Sequence, residues 1–171
     1  MAKVSLAPLS DRWRHTQAVA LRAEELLGAV PATERELLIT AAWWHDLGYA
    51  PELVDTGFHP LDGARFLASK GYPDRLCALV AHHSAATFEA EERGLADELG
   101  AWPREESAVA DALWMADMTT GPHGETVDYP DRLAEILGRY APDSVVGRAM
   151  SRSRPTIEGA IVRTERRLPT G

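Results

Sequence analysis

Cysteine is almost missing from this chain, with Cys77 the single one among 171 residues. An internal disulfide framework is therefore excluded, and a lone thiol in the run RLCALV reads as a small core residue in a reducing cytoplasm. Basic charge is also short. Lys and Arg number 18 against 26 Asp and Glu, giving a formal net charge of −8. That balance argues against the broad basic face with which proteins grip a nucleic-acid polymer or an acidic membrane. A small phosphorylated partner stays open, because a bound metal would invert the local field. No apolar run approaches a membrane span, and the opening MAKVSLAPLSDRW lacks the apolar core of a signal peptide. The expectation is a soluble cytoplasmic protein of undetermined oligomeric state. Its length suits one domain with a sizeable core, and its 45% hydrophobic and 26% charged content is ordinary for one.

Strand patterning is missing as well. Alternating β-branched segments are absent, while Ala, Leu, Glu and Arg recur at helical spacing, which predicts an all-α fold. Ser10 or Asp11 suits the cap of a first helix running to about Gly28, and Thr33 with Glu36 forms a capping-box pattern for a second, ending near Asp46 to Gly48. YAPELVDTGF (49–58) reads as a loop. Pro60 opens a third helix that Gly71 ends, and a fourth runs from about Asp74 to His83. Residues 87–99 predict a short acidic helical excursion, and Glu105 to Met118 a fifth long helix. After the polar loop 119–128, Pro130 opens a further helix to about Tyr140. The tail 143–168 is helical with an interruption at Pro155, its Arg163, Arg166 and Arg167 forming a solvated face. With no repeat or linker, residues 1–171 read as one compact helical bundle, with C-terminal helices over 129–168.

What the chain does have is histidine in a telling order. Five of its six histidines, with two aspartates, run His15, then His45 joined to Asp46, then His59, then His82 and His83, then Asp117. His123 stands outside. Imidazoles and carboxylates in such a series are what one or two divalent transition metals take as ligands. Each histidine taken singly also fits a hydrogen-bonded core position. Periodicity places the candidates inward: His15 shares a stripe with Val19, Ala23, Leu26 and Val30, and His45 with Leu38 and Ala41. His83 follows Leu76, Leu79 and Val80, and Asp117 follows Ala110 and Leu113. An ionised carboxylate on an apolar face requires a metal ion or a buried arginine against it. Adjacent His82 and His83 point about 100° apart on a helix. His83 is the better inward candidate, and His82 is left for substrate, a second metal or no role. His59 in HPLDG stands at a helix N-terminus, which favours a phosphate nearby.

The order H…HD…H…HH…D over roughly residues 10–120 resembles the HD-domain superfamily of metal-dependent phosphohydrolases. The resemblance implies a helical bundle in which His15, His45, Asp46 and Asp117 bind one metal. It implies a second metal at His59 and His83, with or without His82, and Asp46 bridging the two. Manganese, iron and zinc all suit such ligands, and the implied chemistry is metal-activated water attacking a phosphate ester of a nucleotide or small metabolite. Asp46, His59 and His82 are then the candidate catalytic residues. Marks of particular subfamilies are missing. HDLGY carries Tyr49 where many two-metal members have a lysine, HDxxED is absent, and HHSAATFEAEERGL replaces the DGxGYP run. Tyr49 also stands where bacterial 5′-deoxynucleotidases carry a glutamate.

Candidate cations for substrate phosphate are Arg14 and Arg65, with Lys70 behind them, and Tyr49 is a candidate donor. Glu52, Asp55 and Asp62 are candidates to orient the histidines. Trp13, Trp43, Trp44, Trp102 and Trp114 read as core. Two rivals remain: a di-iron oxygenase, since some HD-domain proteins use the same ligands on oxygen, and a non-catalytic metal- or ligand-binding module. The full ligand set argues against the latter, because a structural zinc site closes with four.

Overall fold

A computed structural model of the chain describes residues 10–169 and contains α-helices joined by short 3-10 turns. Among the described residues the only extended pairing is one bridge, Thr120 to Thr126. Residues 1–9 and 170–171 lie outside them. The helices are α1 Ser10–Glu25, α2 Arg35–Trp44, α3 His59–Ser69, α4 Asp74–Ala81 and α5 Thr87–Arg93. They are followed by α6 Ala96–Leu99, α7 Ala108–Met118, α8 Tyr129–Arg139 and α9 Val145–Arg167. The all-α reading is correct. No described helix is long and apolar enough to cross a membrane.

The central element is α7. Every residue from Val109 to Met118 is buried, as in a helix surrounded by protein on all sides. Helices α1, α2 and α9 pack around it, together with the turn His83–Ala85. The stripe predicted for α1 is the face it buries: His15, Val19, Ala23 and, beyond the helix end, Leu26 and Val30. Burying Val19 and Leu26 contributes roughly 1.5–3 kcal/mol each. Helices α3 and α4 form a hairpin whose turn contains Gly71 at φ 76°, the left-handed conformation that ends a helix at little cost only in glycine. Cys77 is buried, as expected of a core residue. Trp114 is buried too, while Trp13, Trp43, Trp44 and Trp102 are half-buried at the edge of the core.

Several local expectations fail for physical reasons. The Thr33–Glu36 capping box does not form. After Pro31 the chain enters α2 through a 3-10 turn, Ala32–Glu34, and no side chain caps the helix. Helix α7 starts three residues late, where the Ser107 hydroxyl accepts from the Ala110 N–H at 3.1 Å. Residues 49–58 contain one further 3-10 turn, Pro51–Leu53. Helix α9 continues through Pro155 without a break. Proline removes one backbone donor, and the packing of α9 along α7 and α5 holds both flanking turns. Finally, Arg163, Arg166 and Arg167 are exposed, as expected of a solvated face, but Arg163 and Arg167 also reach inward to pair with the buried Asp111 of α7.

Candidate metal centre

Five elements converge beside the C-terminal half of α7. Helix α1 presents Arg12 and His15, three residues apart and so on one face. Helix α2 ends at Trp44, and His45 and Asp46 follow as the chain turns into the 3-10 segment Leu47–Tyr49. Gly48 makes the next step possible. A Cβ there would lie 2.0 Å from the His59 carbonyl oxygen and 2.7 Å from the Gly63 nitrogen. Only glycine lets this turn rest on the first turn of α3, which brings His59 up to Asp46. The loop before His59 is held by Asp62, whose carboxylate accepts from the N–H groups of Asp55, Thr56 and Gly57 and from the Thr56 hydroxyl.

Helix α4 then delivers His83, and the chain reverses through Ser84 and Ala85. Both have positive φ, 48° and 59°, a strained backbone for residues with a side chain, costing of order 1–3 kcal/mol each. The two adjacent histidines, just before this turn at the end of α4, diverge. His83 points into the centre, whereas His82 points away, its Nε2 2.7 Å from the Trp102 carbonyl and its Nδ1 3.2 Å from the Thr87 hydroxyl. The Ser84 hydroxyl donates to Asp117 Oδ2.

Hydrogen bonding fixes how the rings present themselves. His15, His45 and His83 place Nδ1 at 2.9, 2.7 and 2.7 Å from the carbonyls of Gly121, Ala42 and Val80. A carbonyl only accepts, so Nδ1 carries the hydrogen and a neutral ring turns its Nε2 lone pair inward. Those Nε2 atoms face carboxylates. Asp46 Oδ2 lies 3.4 Å from His45 Nε2 and 3.9 Å from His15 Nε2. Its other oxygen, Oδ1, lies 3.3 Å from His59 Nε2 and 3.9 Å from His83 Nε2. Asp117 Oδ1 is 2.9 Å from His15 Nε2 and 3.8 Å from His45 Nε2. His59 Nε2 and His83 Nε2 approach to 3.1 Å.

Lone pairs directed at carboxylates and at each other repel unless protons or cations lie between them. His45 Nε2 is buried with no hydrogen-bond partner. The donor atoms form two groups of three, His15–His45–Asp46 and Asp46–His59–His83, which share Asp46. A buried group of this kind can bind a divalent metal, and imidazole with carboxylate suits manganese, iron and zinc.

Charge is concentrated here. Burial alone would raise the Asp46 carboxyl, but His45 and Arg12 hold it well below its usual range. Burial likewise opposes the lowering of Asp117, which His15 and His45 produce. Burial would depress His45, yet Asp46 and Asp117 push it up to about 9. His83 goes down to about 3, through burial and then the neighbouring His59 and His45.

A cleft of about 280 Å³ opens over the centre, lined by Arg12, Asp46, Tyr49, His59, His83 and Asp117 among others. Arg12 reaches Asp46 at 2.8 Å and lies 4.1 Å over the Tyr49 ring. Tyr49 in turn stacks on His59 at 3.9 Å. Of the residues picked out in the sequence, His15, His45, Asp46, Tyr49, His59, His83 and Asp117 are brought together. Arg14 is not: it is exposed and pairs with Asp11. Arg65 is tied between Asp55 and Glu98. Lys70 lies over Phe66, and Glu52 and Asp55 are exposed. His123 is on the surface, 3.6 Å from Asp11.

Sequence reasoning missed Arg12, although its spacing of three from His15 carries the signal. It also missed three further arginines that line the cleft, Arg93, Arg132 and Arg139, whose arrival depends on tertiary packing.

Among known protein families, the HD domain matches this chain over residues 12–121, and the chain belongs to that family. Neither curated proteins nor solved structures gave a match.

Proposed function

We propose that this HD-domain protein is a metal-dependent phosphohydrolase that cleaves a phosphate ester of a nucleotide or other small metabolite in the cytoplasm. The observation that carries the reading is the sharing of Asp46 between two three-residue donor groups beneath an arginine-lined cleft. His15, His45, Asp46 and Asp117 would hold one divalent metal, and Asp46, His59 and His83 a second. Bound there, the metals would polarise a phosphoryl oxygen and lower the pKa of an attacking water.

The chain's own residues supply the rest. Arg12, the cation nearest the centre, offers guanidinium donors to a phosphoryl oxygen. Tyr49, sandwiched between Arg12 and His59, keeps both in register. Its hydroxyl is raised above its ordinary value by burial and by Asp46, so it stays protonated and able to donate. The Nδ1 bonds to Gly121, Ala42 and Val80 hold the rings of His15, His45 and His83 against rotation, and Ser84 fixes Asp117. The cleft is small and the chain acidic, which favours a metabolite over a polymer.

The test is a screen of phosphomonoesters and phosphodiesters with protein loaded separately with manganese, iron or zinc. Metal-dependent release of phosphate or of a phosphomonoester supports the reading. No turnover with any ester, together with oxygen uptake by the iron-loaded protein, would replace it with an oxygenase.

A further inference from the structure

We infer that the part of the cleft lined by α8 is a second anion subsite centred on Arg132, so that the substrate carries a carboxylate or a second phosphate besides the phosphate at the metal centre. This rests on the phosphohydrolase reading and narrows its substrate class.

Arg132 comes from α8, outside the family-matched residues 12–121. It lines the same cleft as Asp46 and His59. The residue is 6% exposed, which is unusual for arginine. A buried guanidinium normally fills its donors, yet the Arg132 Nε is buried without any hydrogen-bond partner. Its charge is also incompletely balanced. Arg132 binds Glu135 through Nη1, and the same Glu135 carboxylate is shared with Arg139. Two guanidiniums on one carboxylate leave one positive charge facing the cleft. A further arginine of the cleft, Arg93, is matched by its own partner, Glu89.

The same cleft also has apolar lining, from Met118, Ile136 and Met150. An anion placed there would be largely withdrawn from water, where a charge-assisted bond to a guanidinium is strong. The cleft is thus lined by two separate cation groups, Arg12 beside Asp46 and the Arg132–Arg139 pair of α8. A ligand that spans it has an anion at each end and a short apolar body between them.

Calorimetric titration of metal-loaded protein tests this with three probe series of matched chain length, ethyl to butyl: alkylphosphonates, phosphonoalkanoates and alkane bisphosphonates. At one chain length a doubly headed probe should bind about tenfold tighter than the alkylphosphonate. The tighter of the two series identifies the second group as carboxylate or phosphate. Arg132→Met should reduce that ratio to about twofold or less. If Arg132→Met unfolds, Arg139→Met, at the more exposed partner, should lower the same ratio. No advantage at any chain length in the unaltered protein would overturn the subsite while leaving the phosphohydrolase reading intact. An equal loss for all three series on substitution would also overturn it. Failure of every phosphonate to bind would sink both.

Discussion

Helix α7 carries two buried carboxylates six residues apart, Asp111 at 5% exposure and Asp117 at 7%, and they are neutralised in opposite ways. Asp111 accepts three bonds from guanidiniums: Arg163 Nε at 2.9 Å, Arg163 Nη2 at 2.6 Å and Arg167 Nη1 at 2.7 Å. Those donors are permanently charged and the pairing is complete. Asp117 faces His15 and His45, whose ring protons already go to backbone carbonyls. Apart from the Ser84 hydroxyl, which donates to Oδ2, its partners are themselves acceptors unless a proton or a metal intervenes. A buried aspartate alone therefore says little about metal. The decisive observation is whether its neighbours donate or accept.

Four substitutions probe that contrast. The largest effect should come from Asp46→Ala, which removes the oxygen pair common to both donor groups. Metal content and metal-dependent turnover should fall below detection while circular dichroism stays helical. Turnover near that of the unaltered protein would remove the metal centre from the account. Next is Gly48→Ala, whose methyl group collides with backbone at His59 and Gly63. We expect a destabilisation of about 3 kcal/mol in denaturant unfolding, with metal lost because His59 is pushed away from Asp46. Normal stability with full metal would contradict the close approach.

Asp111→Ala sharpens the comparison most directly. Removing the shared carboxylate leaves Arg163 and Arg167 unpaired, and both are partly exposed. The cost is accordingly discounted to about 2 kcal/mol. Metal content per folded chain should not change, and a loss of metal would erase the distinction between the two aspartates. The smallest effect belongs to His82→Ala. Its bond to the Trp102 carbonyl is structural, so a loss of about 1 kcal/mol with unaltered metal content is expected. Turnover collapsing in that variant would return His82 to the reaction.

The sequence showed the inward stripes of His15, His45, His83 and Asp117 clearly, because a helix repeats its face every three or four residues and each of these has apolar company. His59 was legible from Pro60, which marks the first helical turn. The rule that a buried carboxylate needs a metal or an arginine is met at Asp111 by arginines, while Asp117 lies against His15, His45 and Ser84 beside the donor cluster. Which case applied to which residue was not legible. Arg163 and Arg167 reach Asp111 across 52 and 56 residues, and no local pattern reports such a meeting. The divergence of His82 from His83 was legible from helix geometry, but its partners, the Trp102 carbonyl and the Thr87 hydroxyl, were not. Arg14 drew attention because it adjoins His15 and Arg12 was overlooked, but neighbours on a helix point apart while residues three apart share a face.

The most direct test of the central claim is the transition-metal content per chain, by elemental analysis of protein purified without chelators or affinity metals. Two metals per chain, both lost in Asp46→Ala, is the predicted result. A chain that stays free of metal after addition of manganese, iron and zinc would contradict it.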